Sequence, residues 1–136
     1  MLLKTPASIT VLRGLLRAGP CTDVPVATRV PRDIAPPFVR IERVGGRPLN
    51  AVTDAPRFVI HVYGRDGIDA EARALDILDH LEHGPWRSTD TESGHRLMGW
   101  RTETIMPLSD PDRPALHRWQ VMGALHISRL TSRTNL

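Results

Sequence analysis

Few side chains in this sequence are of types that do chemistry, and their spacing decides what each can do. His80 and His83 stand three apart on a predicted helix, where two imidazoles could begin a metal site. A hydrolytic zinc helix would put a glutamate directly after the first histidine and the second histidine four residues on. Neither condition is met, so the pair reads as favourable positive charge at a helix C-terminus. Asp110 and Asp112 could hold a cation, but they lie in Ser109-Asp110-Pro111-Asp112-Arg113-Pro114, whose prolines predict a rigid hairpin tip. Cys21 is the single cysteine and sits in the turn-like Gly19-Pro20-Cys21-Thr22-Asp23, with no second thiol for a disulfide, a metal or a redox pair. His61, His117 and His126 fall on the mixed faces of predicted strands, and no nucleophile with an oriented base can be placed. The expectation is a protein that is not an enzyme, with no catalytic residue, no metal and no cofactor.

Ligand-cradling patterns are equally absent. Gly45-Gly46 and Gly64-Arg65-Asp66-Gly67 lack the Gly-Lys-Ser/Thr ending that would put backbone amides and a lysine on a phosphate, and they read as turns. Trp86, Trp100 and Trp119 are the aromatics best suited to stacking on a base. Aromatic residues make up only 4% of the chain, however, without the alternation with basic residues that a stacking platform uses. Trp86, Trp100 and Trp119 are therefore expected in the core or at a subunit contact. Net charge is +3 and the sequence pI is about 10.0, and the cations are nearly all arginine. Arg29, Arg32, Arg40, Arg43 and Arg47 are the densest set, suited to phosphate contacts or to a solvated or subunit-facing sheet surface.

A chain of 136 residues is one domain by length, residues 1–136, and large enough to stand without staples. Its 40% hydrophobic and 24% charged residues are ordinary for a globular protein, and 12 prolines predict many defined turns. No apolar run approaches the roughly 18 residues that cross a bilayer, and the start lacks a signal-peptide pattern. Intracellular synthesis and no membrane partner are expected.

The elements that must position these residues follow from periodicity. Thr5-Pro6 offers a capping hydroxyl and a proline at the first helical position, and Ile9, Leu12, Leu15 and Leu16 then share one face until Gly19-Pro20. Residues 25–31 are predicted to form a short strand between prolines, which marks an edge or a strand limited by its ends. Residues 37–44 and 56–63 are predicted mates, joined by residues 45–55, a connection longer than the usual hairpin loop and so expected to be functional. Phe58, Ile60 and Val62 point to a core, and the other face of that strand is mixed. A second helix opens at residues 66–71, where Asp66, Asp69 and Glu71 suit the positive helix end, with an apolar stripe of Ile68, Ala72, Leu75, Leu78 and Leu81. The polar stretch 86–94 is predicted to be a mobile loop. Two long strands follow, 95–106 and 115–130, in which Trp119, Val121, Gly123, Leu125 and Ile127 alternate with polar positions. Arms about twice the usual strand length are expected to reach past their own core. The fold class is α+β: an antiparallel sheet of about five strands with two helices packed on it, in the order α-β-β-β-α-β-β, ending in an extended hairpin.

Taken over almost its whole length, the chain resembles the tail terminator (tail-completion) proteins of long-tailed phages with non-contractile tails, of the type that infects actinobacteria. The resemblance is carried by Thr5-Pro6-Ala7-Ser8-Ile9-Thr10-Val11-Leu12-Arg13-Gly14-Leu15-Leu16 and Val24-Pro25-Val26-Ala27-Thr28-Arg29-Val30-Pro31. It continues through Pro37-Phe38-Val39-Arg40-Ile41-Glu42-Arg43-Val44-Gly45-Gly46, Asp54-Ala55-Pro56-Arg57-Phe58 and Arg118-Trp119-Gln120. It implies a virion structural protein that assembles with itself into a six-membered ring, caps the tail-tube protein, ends tube growth and meets the head-tail connector proteins. DNA would only pass through the lumen. Such a ring has heterologous contacts and needs two different faces per subunit. Within this reading Arg47, Leu49 and Asn50 are the candidates for the tail-tube contact, Trp100 and Trp119 for the subunit contact or the core beneath it, and Arg40 and Arg43 for the channel lining. The alternatives are a head-completion or connector protein of the neck, and a small basic nucleic-acid-binding domain, which would show strongly salt-dependent DNA affinity.

Overall fold

The structure is a computed structural model that describes residues 2–30, 32–109, 112–113 and 115–132. Its elements run β1 (Leu2–Leu3), α1 (Ser8–Arg17), β2 (Val26–Ala27), β3 (Phe38–Arg43), β4 (Thr53–Asp54), β5 (Arg57–Gly64), α2 (Gly67–His83), β6 (His95–Ser109) and β7 (His117–Thr131). The expected α+β order is present, with two further strands of two residues each, β1 and β4.

One sheet contains all seven strands, and β7 is its spine. On one side β7 pairs with β6; on the other it pairs in turn with β5, β4 and β1. Beyond β5 lie β3 and then β2, and every pairing is antiparallel except β2 with β3. The final hairpin is as long as expected, but it does not reach past its core. β5 backs β7 from His117 to Ala124, and β4 and β1 back its end. Its length is used inside the sheet. The predicted tip falls partly on Asp110, Pro111 and Pro114, outside the described residues.

Both helices pack on one face of the sheet, over a core that includes Leu12, Leu16, Val39, Ile41, Phe58, Ile60, Val62, Ile77, Leu81, Trp100, Val121, Leu125 and Ile127. Period-2 alternation put Phe58, Ile60 and Val62 on this face as expected. Trp100 lies over Gly123, where an added Cβ would stand 2.4 Å from the Arg101 carbonyl oxygen and 2.6 Å from the indole ring. Only glycine lets that ring close on the strand.

Two helix expectations are corrected. The first helix begins at Ser8, with Ala7 at its N-cap and no side-chain cap, rather than at Thr5-Pro6. The Lys4 amide donates to Arg129 O, continuing the β1 pairing, so the chain stays extended and leaves Thr5 no helix to cap. Ser8 Oγ is engaged by Arg43 Nη1 at 3.1 Å. In α2, Asp66 caps as the acidic start predicted, accepting from the Asp69 amide at 2.7 Å, but the buried stripe is Ala70, Ala74, Ile77 and Leu81. Ile68 is 84% exposed and Leu75 43%. The reason is the close approach of the helix to β5: a Cβ on Gly64 would lie 2.3 Å from the Ala70 amide nitrogen. Alanines fit that gap, and the larger aliphatics turn outward.

The stretch 86–94 is pinned as well. Trp86 is buried and its indole donates to His80 O at 2.8 Å. Backbone bonds link Ser88 and Thr89 to Leu97, and Thr91 to His95, and Arg96 pairs with Asp90 at 2.8 Å.

Candidate functional site

The helix-free face of the sheet and the loop that overhangs it form the most distinctive surface. Residues 45–55 leave β3 through Gly45 and Gly46, at φ +109° and +86°, a region that L side chains rarely adopt. A Cβ on Gly46 would also stand 2.4 Å from Ala55 O, so the two ends of the loop close tightly. Asn50 Oδ1 accepts from the amides of Val52 and Thr53, each at 2.9 Å, the side-chain turn that asparagine favours. Arg129 of β7 then holds the loop through its amide on Val52 O at 2.7 Å and its guanidinium on Ala51 O at 3.3 Å. The loop is thus a fixed projection with Arg47 exposed and Leu49 59% exposed at its crest. Beneath it runs an open groove of about 890 Å³ lined by Arg47, Leu49, Arg57, Arg101, Glu103 and His126 among others. Arg57 crosses β7 to make two 2.8 Å bonds with Glu103. Glu103 sits where β6 bulges between Thr102 and Thr104. The bulge re-aims the carboxylate, and Arg57 holds it below the ordinary glutamate range.

Further along the same face, Phe38 and Tyr63 stack with centroids 4.4 Å apart, and the Arg118 guanidinium covers Tyr63 at 5.7 Å. Beside them Arg40 pairs with Glu42 at 3.0 Å. His61, opposite Arg40 in the register, is 6% exposed. Its Nε2 lies 3.5 Å from Glu42 Oε2, and neither ring nitrogen makes a hydrogen bond. Burial, then the charges of Arg40 and Arg118, push its pKa down to about 4, so it is a neutral ring packed among arginines.

The sequence-derived residues are distributed as follows. Arg47, Leu49 and Asn50 share the loop, although the Asn50 side chain is spent on the turn. Trp100 is buried, bonded to Thr102 Oγ1 at 3.0 Å, and Trp119 is half-buried against the core. Arg40 and Arg43 do not come together: Arg40 is on the helix-free face, while Arg43 turns to the helix side and meets Ser8. His80 donates from Nε2 to Leu15 O, 2.9 Å away, locking α2 to α1, whereas His83 is exposed. Cys21 is buried, its thiol pushed up to about 11 by loss of solvent. Among the described residues no three of His, Cys, Asp and Glu converge as a metal site, and no helix is long and apolar enough to cross a membrane.

Two features escaped sequence reasoning. The Arg57–Glu103 pair spans 46 positions, and only the strand register reveals it. The second is a division of charge. Residues 66–83 carry six carboxylates against one arginine, and the rest of the chain carries seventeen basic residues against nine acidic ones. That asymmetry was countable in the sequence.

No known family model matches the chain, and no curated protein matches it. Among solved structures, a chain of the virion of a native gene transfer agent particle shares its fold, with a TM-score of 0.58 and 17% identity over 86% of this chain and 91% of that one.

Proposed function

We propose that this chain is a structural protein of a phage-type virion, and within it the subunit of a six-membered ring that caps the tail tube, ends its polymerisation and joins the tail to the head connector. The observation that carries the reading is the shared fold over nearly the full length of both chains with a component of a gene transfer agent virion. The surfaces agree with it. A rigid loop with an exposed arginine and leucine at its crest is suited to a protein contact, and Arg47 and Leu49 meet the last ring of tube subunits, with Asn50 holding the turn that presents them. Trp100 and Trp119 support the sheet from within. If the helix-free face borders the passage, Arg40 belongs to its lining and Arg43 does not. Arg40 is already neutralised by Glu42, which suits a channel through which DNA must slide.

Added to polymerising tail-tube protein, the purified chain is expected to shorten the tubes and to appear at one end of each. Arg47→Glu is expected to abolish that end-binding while leaving the fold intact by circular dichroism. Undiminished capping by the variant would remove the loop from the tube contact, and tubes of unchanged length with the parent protein would remove the capping role.

A further inference from the structure

The sheet ends in two unlike margins, and each carries a helix flank of opposite charge. At the β6 margin, Ile68, Glu71, Leu75 and Asp79 follow one another along α2 at spacings of three and four residues, which puts them in one line. The line lies away from α1. His80 on the other side of α2 meets Leu15 of α1, while Glu82 accepts from Thr102 of β6 at 2.7 Å. All four residues are exposed, and Ile68, at 84%, is the most exposed large aliphatic of the described residues. Glu71 and Asp79 enter no ion pair among those residues. Below them, β6 is open along its outer edge from Met98 onward, since the loop 88–90 covers only its first residues.

At the β2 margin, Ile9, Arg13 and Arg17 make the matching line on α1, four residues apart. With Ala27 and Arg29 they border an open groove of about 660 Å³. Arg13 Nε is tied to Val26 O at 2.9 Å, which fixes the floor of the groove, and Arg17 and Arg29 are exposed. Here β2 is two residues long and pairs only with β3, and its outward carbonyl, Val26 O, is the one that Arg13 caps.

We infer that these two margins are the two halves of one interface, in which the acidic-aliphatic flank of α2 on one copy of the chain seats against the arginine-aliphatic groove of α1 and β2 on the next. This deepens the ring reading and rests on it. Charge complementarity selects a second copy as the occupant: two carboxylates with two aliphatic side chains face three arginines with one isoleucine. Because the margins differ, the contact is heterologous, and repeating it closes a ring or extends a filament. The strands permit it. Following the pairings, β2 and β6 run in opposite directions, so copies related by rotation about an axis along the strands bring the open β6 edge antiparallel to the β2 margin. The interface then covers the β6 edge, which would otherwise be exposed.

Sedimentation velocity on the full chain, with circular dichroism as a check of folding, tests the inference. One variant reverses the α2 flank (Glu71→Arg with Asp79→Arg) and another reverses the groove (Arg17→Glu with Arg29→Glu). None of these four side chains makes an intrachain hydrogen bond or ion pair among the described residues. Each variant alone sets like charges at every junction and is expected to raise the concentration of half-assembly by a factor on the order of a hundred. An equal mixture of the two restores opposite charge at every junction and is expected to restore assembly. Assembly of either variant alone at the parent's concentration overturns the interface and leaves the ring reading standing. So do folded variants that fail to assemble even when mixed. A parent chain that stays monomeric at every concentration overturns both.

Discussion

His61 is the side chain whose perturbation can be worked furthest. Its pKa is pushed from 6.5 to about 4 by burial and by the neighbouring charges of Arg40 and Arg118, with Glu42 opposing them. The unfolded chain takes up this proton near pH 6.5 and the folded chain only near pH 4, so acid favours unfolding across that window. The stability at stake is fully present above the unfolded value and is lost as the pH falls toward the folded one. With each tenfold change worth about 1.4 kcal/mol, the loss from about pH 7 to about pH 5 is about 2 kcal/mol, and it reaches about 3 kcal/mol near pH 4. His61→Leu removes both the titration and two buried nitrogens without hydrogen bonds. Urea unfolding followed by tryptophan fluorescence should place the variant within about 1 kcal/mol of the parent at neutral pH. At about pH 5 the variant should have lost about 2 kcal/mol less than the parent. His126, shifted the same way by burial and Arg101, is common to both proteins and cancels in the difference. Equal acid losses in the two proteins would refute the reasoning, because they would mean that the ring is already solvated or paired in the folded chain.

Two further perturbations test the packing that holds the surfaces in place. Gly123→Ala would drive a methyl group into the Arg101 carbonyl and the Trp100 ring and should cost about 2 kcal/mol or more in thermal unfolding; an unchanged midpoint would show that the ring does not close on the strand. Asp66→Ala removes the acceptor for the Asp69 amide and should cost about 1 kcal/mol, with Asp66→Asn recovering most of it.

The α+β class, the two helices and the long final strands were legible because period 2 and period 3.6 are strong in β5, β7 and α1. The α2 stripe was misphased for a reason that no periodicity contains. Alanine at 70 and 74 is set by how close the helix approaches Gly64 and β5, and hydrophobicity alone favours the larger Ile68 and Leu75 that the close approach excludes. The same holds for the first cap, where β1 pairing to the far end of the chain overrides the local Thr5-Pro6 signal. The hairpin length was read correctly and its use was not: residues 117–131 are long because four other strands share them. The loop 45–55 was singled out by its length alone, and the structure adds that it is fixed to β7 through Arg129. The arginines were counted together in the sequence, yet strand alternation sends Arg40 and Arg43 to opposite faces. The Arg57–Glu103 ion pair and the placing of the neutral His61 beside Glu42 depend on register and were invisible.

The most direct test of the central claim is electron microscopy of particles made by the parent phage or particle-forming element with this gene deleted, scored for tail length and head attachment. The ring-cap account predicts overlong, irregular tubes detached from DNA-filled heads. Free tails of normal length beside heads that leak or lack a neck would contradict it and move the protein to head completion.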